Sequence, residues 1–539
     1  MTDFENPSSF NVKILLDFSP KRIHHESALV KFFVSVRMCA QGPRKAIKGV
    51  KEKNMKRTLT VVLAILLCFA MVMIASCSKG SSSSTSAGST STSTAKAPAK
   101  EKVKIQIMVG FGTGTDPSQI TVHEQLQKEF NDTIGKEKGI ELEFLTVPYA
   151  DATTKFTTLV AAGMSPDICG PVGIMGVAQF IDQWLDLTPY IEKDKIDLSD
   201  YDQALVDSNR YNVDGQEVLV GLPIGYYPSA LFYNEDIYDR AGLEYPPAEW
   251  GTPDWTYDKL YEQARLMTLD MWGETPNSDE FDMDNVVQYG YDGTDWSPWR
   301  AWVGKFFDEN GKSVALGMTD DYKTATMNSP EWIHAFEELE RMIYVEKVRP
   351  RSDAAAGASL FGDSDPLGSN RLGVWETFSW MSYAFETWDA NFSWNIGAIP
   401  AMDGHVVSAT NIDTFVMTKS GKHPDEAWEV YKWLFSEEVY SRLNHNYGGI
   451  PAMKDLQAQW LDEQKAERPN INWQVLLDAG AYADNPNNES WVPAYSEVWT
   501  EMEFAMSSII SGLYDSPEQV ANDLNDEVQD LLDEYWASK

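Results

Sequence analysis

Strand and helix signals alternate along one stretch of the chain, and this alternation restricts the possible folds more than any other feature. Residues 103–109 and 140–147 are apolar runs that predict strands. Residues 118–130 and 150–162 have the spacing of amphipathic helices, and residues 167–169 predict a third short strand. Such alternation predicts an α/β fold, with parallel strands, helices on both faces, and ligands bound at the carboxyl ends of the strands.

A hydrophobic segment before this region determines where the folded part of the chain begins. It starts with Lys56 and Arg57, continues as an apolar run, and ends in Ile-Ala-Ser before Cys77. This pattern predicts a bacterial lipoprotein signal peptide over residues 55–76, with Cys77 as the lipidated mature N-terminus. A transmembrane helix is the alternative, because the apolar run approaches the roughly 18 to 20 residues that a bilayer span needs.

The segments on either side of the signal are predicted to lie outside the folded domains. Residues 77–100 are rich in Ser and Thr, which is typical of a flexible tether between an anchor and a domain. Residues 1–54 precede a complete signal peptide, so we interpret them as an upstream extension that is not part of the native protein. About 440 residues remain, and a single hydrophobic core does not usually support a chain of this length. We therefore expect two lobes.

The charge of the chain excludes several classes of partner. Residues 1–76 hold 12 basic and 5 acidic residues, a net of +7, so the whole-chain net of −37 leaves −44 for residues 77–539. A surface this acidic repels a phosphate backbone, so we expect no nucleic-acid partner. It also disfavours an anionic ligand.

The cysteines leave no intramolecular disulfide. Cys39 and Cys68 lie before the predicted cleavage site, Cys77 is predicted to carry lipid, and Cys169 remains alone. The apolar neighbours of Cys169 predict a small buried side chain rather than a nucleophile.

No motif for a cofactor, a metal or catalysis is present. Gly110, Gly112 and Gly114 follow the first strand, but their spacing is not the dinucleotide fingerprint G-x-G-x-x-G, and there is no G-x-x-x-x-G-K-[ST] or H-E-x-x-H. The acidic residues of 279–284 lack the spacing of a calcium loop, which favours a solvated loop. We therefore predict no cofactor, no metal and no catalytic residue.

Several segments, in the right order, resemble the extracellular solute-binding proteins, family 1, of bacterial ABC importers. Residues 149–167 are similar to its Y…K…aaG..PD signature, and WLDLTPY at 184–190 is similar to its l.dLtpyi motif. The hairpin turn of Asp214 and Gly215 follows, and then YNEDIYDRAGL at 233–243 with Trp255. The resemblance covers most of residues 101–539.

This resemblance implies two α/β lobes of the type II periplasmic-binding-protein kind, joined by hinge strands, with a ligand cleft between them. Lobe 1 would comprise 101–225 and about 376–440, and lobe 2 about 226–375 and 441–539. The chain would cross between lobes near residues 224–229, 373–380 and 435–447. A lipid-anchored, extracytoplasmic and monomeric receptor would capture a sugar, with lobe closure presenting it to membrane permease subunits.

The tryptophan content supports a carbohydrate ligand, because the apolar faces of sugar rings stack on aromatic side chains. All 19 tryptophans follow Cys77. Many of them are expected to be core residues: Trp428 and Trp433 lie in an apparent amphipathic helix over 424–443, and Trp250, Trp255 and Trp332 look structural as well.

The resemblance to maltodextrin-binding members implies particular ligand-facing positions. Tyr227 falls on the first crossing, Trp296 and Trp299 resemble the aromatic pair of the second lobe, and Trp499 resembles a C-terminal stacking tryptophan. A buried helix start is an equal alternative for the pair Trp296 and Trp299.

The second crossing resembles the family segment that delivers a stacking aromatic, with Phe378 in that aromatic's position and Glu376 in place of a glycine. Asn411 and Asp413 replace a glycine pair, and Tyr447 begins a loop beside the cleft, where a plain turn is the alternative. The loops after the first and third strands should line the cleft mouth. The predicted ligand-binding residues are Phe111, Asp116, Pro171, Tyr227, Trp296, Trp299, Trp375, Glu376, Phe378, Trp380, Asn411, Asp413, Tyr447 and Trp499.

Two other classes of function remain open. A secreted glycosidase also has an aromatic cleft, with two carboxylates roughly 5 to 10 Å apart, and would cut the sugar. A surface adhesion or sensory lipoprotein of the same fold would have no matching permease.

Overall fold

The computed structural model describes residues 102–213, 216–293, 302–351, 360–361, 365–484 and 492–538. They belong to one compact unit, Pro98–Lys539. The predicted signal and tether, together with Trp296 and Trp299, lie outside the described residues. Within these ranges, no helix combines the length and the apolarity that crossing a bilayer requires.

Two kinds of element make up this unit, and both are numbered in chain order. The strands are Val103–Val109 (β1), Ile140–Thr146 (β2), Ile168–Val172 (β3), Arg210–Val213 (β4), Gln216–Leu219 (β5), Gly221–Asn234 (β6), Leu269–Asp270 (β7), Val286–Gly293 (β8), Leu372–Phe378 (β9), Trp394–Gly397 (β10) and Thr410–Met417 (β11). The α-helices are Pro117–Asp132 (α1), Ile134–Lys138 (α2), Tyr149–Ala161 (α3), Ile174–Gln179 (α4), Thr188–Asp194 (α5), Gln203–Asp207 (α6), Glu235–Ala241 (α7), Tyr257–Met267 (α8), Pro330–Glu340 (α9), Phe385–Asn391 (α10), Pro424–Leu434 (α11), Glu437–Tyr447 (α12), Gln457–Glu467 (α13), Gln474–Asp478 (α14), Tyr495–Ile510 (α15) and Pro517–Ala537 (α16).

The predicted alternation forms the first part of a mixed sheet. Strand β1 pairs in parallel with β2 and β3, and β11 closes this part by pairing antiparallel with both β3 and β6. Helix α1 has Asp116 as its N-cap residue, and the Asp116 carboxylate forms a capping box with Gln119. The carboxyl ends of β1 and β3 therefore lie at one edge, beside α1.

Strand β6 joins two parts of the sheet, because its two halves have different partners. Its first half, up to Pro228, pairs with β11, and its second half, from Ser229, pairs with β9 and β10. Strand β8 pairs in parallel with β9 and antiparallel with β7 at the far end. This change of pairing partner, between Pro228 and Ser229, lies within residues 224–229, where the first crossing between the lobes is predicted.

The segment predicted to form the second crossing lies on strand β9 and just after it. All of β9, including most of residues 373–380, pairs within the second part of the sheet, and so does β10. The chain returns to the first part between β10 and β11, where Ser408 donates a hydrogen bond to the Ser229 carbonyl. Gly373 serves packing inside the second part, because a Cβ there would lie 2.8 Å from the Gly290 carbonyl oxygen.

The apparent long helix over residues 424–443 is two helices, α11 and α12. The chain leaves the first helix at Phe435 and starts the second after Ser436, which has extended dihedral angles typical of an N-cap. Glu437 and Glu438 fill the first turn of α12. The Ser-Glu-Glu pattern is the local signal for this break.

The aromatic core agrees with the structural roles predicted for several tryptophans. Trp428 and Trp433 are buried in α11, and Trp250, Trp255 and Trp332 are buried as well. Cys169 is also fully buried, and its burial holds the pKa of the thiol well above the usual range. The Cys169 thiol is therefore an unreactive, structural group.

Candidate functional site

Asp413 lies at the edge of the sheet where the loops after β1 and β3 meet. A bulge in β11 follows it, which shifts the register against β6 between Asp413 and Thr414. Its carboxylate accepts a 3.5 Å hydrogen bond from the Thr113 hydroxyl group in the loop after β1. Burial raises the pKa of Asp413 to about 7, and hydrogen bonds from Thr113 oppose this shift. A carboxyl group perturbed in this way is a functional-site candidate.

Three aromatic rings lie next to each other at the point where β6 changes partners. Trp380 stacks on Phe378, with ring centres 4.0 Å apart and planes 16° apart, and its ring centre is 6.0 Å from that of Tyr227. Phe378 and Tyr227 are buried, whereas Trp380 is half-buried. Burial, and then the nearby Asp413 carboxyl group, raise the pKa of Tyr227. The predicted residues Tyr227, Phe378, Trp380 and Asp413 are therefore neighbours in space.

A further tyrosine, Tyr149 at the start of α3, faces the same carboxyl group from the first part of the sheet. Tyr149 is 42% exposed, yet desolvation of its phenol, then the charges of Asp413 and Glu503, raise its pKa, so both carboxylates lie near the ring. Glu503 is exposed on α15, a helix that contacts α4. Tyr149 and Glu503 are thus additional candidates that the motif analysis did not select.

Glu376 occupies an internal ion pair rather than an open cleft. Its carboxylate accepts hydrogen bonds from the Lys305 ammonium at 2.7 Å, from the Tyr257 hydroxyl at 2.6 Å and from the Tyr291 hydroxyl at 2.8 Å. The side chains of Glu376 and Lys305 are 3% and 2% exposed. These contacts occupy both carboxylate oxygens, so Glu376 has a structural role in the described residues.

Tyr447 is also buried, below the loop after β1. Its hydroxyl lies 2.8 Å from Nε2 of His123, which stacks on Phe144. Burial lowers the pKa of His123 to about 4, so the ring is neutral at physiological pH. A Cβ on Gly114 would approach both rings, to 3.2 Å, so this pair supports the loop from beneath.

The remaining predicted residues occupy mixed positions around this group. Asp116 caps α1 and lines a cavity of about 280 Å³ together with Ser379 and Tyr383. Asn411 pairs with Tyr227 in the register of β11 and β6. The others are more than 90% buried in the packing of their own elements: Phe111, Pro171, Trp375 and Trp499.

The sequence analysis selected the loop of residues 111–116 but not the side chain of that loop that contacts Asp413. Thr113 is the residue that reaches Asp413, and its position in a glycine-rich loop after the first strand was the available signal. Tyr149 opens the motif over 149–167 and could have been chosen on that ground. Glu503 carries no sequence signal, because only the placement of α15 brings it near Tyr149.

The arrangement can bind a ligand, but in the described ranges it lacks the parts of a metal centre. No group of three or more His, Cys, Asp or Glu side chains there could hold a metal ion. Aromatic faces beside a carboxyl and a hydroxyl group are suited to recognising a small polar molecule.

Solved structures with the same fold include several solute receptors. A substrate-binding protein of an ABC transporter from Listeria monocytogenes, in complex with cycloalternan, is 20% identical, with a TM-score of 0.63 over 80% of this chain and 98% of that chain. The GacH receptor of Streptomyces glaucescens, studied unliganded and with acarbose, is 15% identical, with a TM-score of 0.61 over 81% of this chain and 100% of that chain. These likenesses show a two-lobed periplasmic-binding-protein fold with a cleft between the lobes.

Curated relatives and a family model agree with this fold. A putative binding protein of Brucella abortus (strain 2308) is 22% identical over 341 residues, which cover 62% of this chain and 72% of the relative. The model of the bacterial extracellular solute-binding proteins matches residues 118–440, more than half of the chain. The protein therefore belongs to the bacterial extracellular solute-binding protein family.

Proposed function

We propose that the protein is the receptor of an ABC importer and that it captures a carbohydrate, an oligosaccharide in particular, between its two lobes. The stacked Phe378 and Trp380 beside Tyr227 and Asp413 carry this proposal, because they combine an aromatic face with hydrogen-bonding groups. Structural relatives described as complexes with cycloalternan, tagatose or maltotetraose support a sugar as ligand.

The proposed mechanism is binding without chemistry. A ligand that contacts both lobes stabilises the closed form, because only that form buries it on two sides. The proposed ligand-facing groups are Trp380, Tyr227, Asp413 and Thr113, with Asn411 and Asp116 at their sides. The closed form would deliver the sugar, uncleaved, to the permease subunits, with the receptor acting as a monomer.

Trp380 offers the sharpest test of this site. We expect Trp380→Ala to weaken oligosaccharide binding by about 10- to 100-fold, because it removes the accessible stacking face. A thermal-shift screen of the purified protein against oligosaccharides, monosaccharides, polyols and amino acids identifies the ligand, and calorimetry then measures the affinity of both forms.

Trp272→Ala is the matched control, because Trp272 is 62% exposed in the loop after β7 and outside the aromatic group. It should leave affinity unchanged. Equal affinity of Trp380→Ala and the wild-type protein would contradict the site, and absence of any sugar-induced shift would contradict a carbohydrate ligand. Cleavage of the sugar would favour the glycosidase alternative, and an intact sugar without a partner permease would favour the sensory or adhesion alternative.

A lipid anchor on Cys77 completes the proposal and places the receptor at the outer face of a membrane. We expect Cys77→Ala to abolish incorporation of labelled fatty acid in cells and to accumulate a precursor that retains residues 55–76, because cleavage follows lipidation at this cysteine. Cys169→Ala is the control and should keep the label. Undiminished labelling of Cys77→Ala would rule out this anchor.

A further inference from the structure

The Asp413 carboxyl group lies inside the protein without a basic partner among the described residues. The residue is 7% exposed, it accepts a hydrogen bond from Thr113, and no Lys, Arg or His of the ranges that the structure describes contributes to the electrostatics of the group. Burying an ionised carboxylate without a countercharge is costly, which is why its pKa is raised to about 7.

The backbone around Asp413 makes room for the carboxylate but not for a compensating side chain. A Cβ on Gly112 would lie 2.6 Å from one carboxylate oxygen, and a Cβ on Gly173 would lie 3.2 Å from the other. Glycine at these positions lets two loops approach the charge closely. A costly group that the surrounding backbone accommodates in this way is expected at a functional site.

The groups around Asp413 are suited to a positive charge. The phenols of Tyr149, Tyr227 and Tyr447 all lie within its electrostatic reach, and Trp380 adjoins Tyr227. The electron-rich faces of aromatic rings attract cations. Glu503 lies beyond Tyr149 and adds a second negative charge on that side.

Resting on the proposed function, we infer that the solute carries a basic nitrogen, as an amino sugar does, and that Asp413 pairs with its ammonium group. A neutral sugar could donate a hydroxyl hydrogen bond to Asp413 but would leave the buried negative charge uncompensated. An ammonium group supplies the countercharge that the described residues lack, and the adjoining rings stabilise it further.

Three series of oligosaccharides with the same linkage separate these possibilities. Oligomers of glucosamine, of N-acetylglucosamine and of glucose, all β-1,4-linked and of two to four units, differ only in the substituent at C2, which is an amine that protonates near neutral pH, an acetamide or a hydroxyl group. Calorimetry of the full-length protein at pH 7 should show at least about tenfold tighter binding of the glucosamine series than of both neutral series.

Asp413→Asn should abolish this preference, so that the glucosamine series binds no more tightly than the neutral series, because the amide carries no charge. Asp455→Asn is the matched control, since Asp455 is exposed on the surface and its loss changes the net charge equally. The preference should persist in this control. A preference that survives Asp413→Asn would overturn the assignment of the ammonium to Asp413.

The pH dependence provides an independent readout. Affinity for the glucosamine series should be highest near pH 7. It should fall towards pH 5.5, where Asp413, with a pKa of about 7, takes up a proton, and it should fall again at alkaline pH, where the amine of the ligand loses its proton. The phenols of Tyr149, Tyr227 and Tyr447, which face it from α3, β6 and α12, have raised pKa values and stay neutral throughout. A constant affinity over this range would contradict the pairing.

The outcomes distinguish this inference from the proposed function. Binding of the neutral series with equal or weaker binding of the glucosamine series overturns the basic nitrogen and leaves a carbohydrate receptor. Failure of all three series, together with a negative thermal-shift screen, counts against the proposed function itself.

Discussion

Replacing Lys305 with methionine is expected to lower the free energy of unfolding by about 3 to 5 kcal/mol, the largest effect of any substitution considered. Lys305 and Glu376 form an ion pair in which both side chains are almost inaccessible. The substitution leaves the Glu376 carboxylate buried with two tyrosine hydroxyl groups, from Tyr257 and Tyr291, and without a countercharge. Urea denaturation followed by tryptophan fluorescence measures the loss.

The double variant Lys305→Met/Glu376→Gln tests the cause of that loss. It removes both charges and keeps an amide oxygen that can accept from the tyrosines, so it should be more stable than Lys305→Met alone. Lys465→Met, at an exposed position of α13, should be close to neutral. A double variant that is no more stable than Lys305→Met would show that lost packing, rather than an unpaired charge, causes the effect.

Asp413→Asn is expected to stabilise the ligand-free protein at pH 8, by on the order of 2 to 4 kcal/mol, and to have little effect near pH 4. The folded-state pKa of Asp413 is about 7, against about 3.9 for an unperturbed aspartate. Between these values the folded protein keeps a proton that the unfolded chain has released. Wild-type stability therefore decreases as the pH rises through this window, and asparagine removes that decrease.

Urea denaturation of the wild-type protein and Asp413→Asn at pH 4.5, 6 and 8 measures this prediction. The difference in unfolding free energy should grow with pH and level off above pH 7, when the folded carboxyl group is ionised. Asp455→Asn should show no such growth, because its carboxylate is exposed. A stability difference that is independent of pH would show that Asp413 does not titrate with a raised pKa in the folded state.

Together, the predictions for Lys305 and Asp413 distinguish a carboxylate that supports the fold from one that is proposed to bind the ligand. Glu376 is bound by Lys305, Tyr257 and Tyr291, and none of these residues belongs to the aromatic group beside Asp413, so the loss of this ion pair should affect stability. The Asp413 carboxyl group lowers stability when ionised, yet it lies among the groups proposed to face the ligand. A receptor that tolerates this cost in its empty state recovers it when a ligand supplies the missing partner.

Local sequence patterns predicted the first elements closely. The strands predicted at 103–109 and 140–147 are Val103–Val109 and Ile140–Thr146, and the helix predicted at 150–162 is Tyr149–Ala161. The hydrophobic periodicity of these elements arises because each buries one face. That periodicity can be recognised from residues close together in the chain. The break between α11 and α12 was missed, although Ser436 before two glutamates marks it, because amphipathic spacing continues across the break.

What the sequence determined by itself was the type and order of elements and the family, since each depends on residues close together in the chain. Only the tertiary structure decided which predicted side chains meet. Glu376 and Asp413 are both acidic residues that were predicted to face the ligand, and no local pattern distinguishes them. Lys305, 71 residues from Glu376, neutralises one of them, whereas glycine loops and tyrosines surround the other. A charge's partners depend on long-range packing, and that packing, rather than residue type, makes one carboxylate structural and the other a candidate for binding.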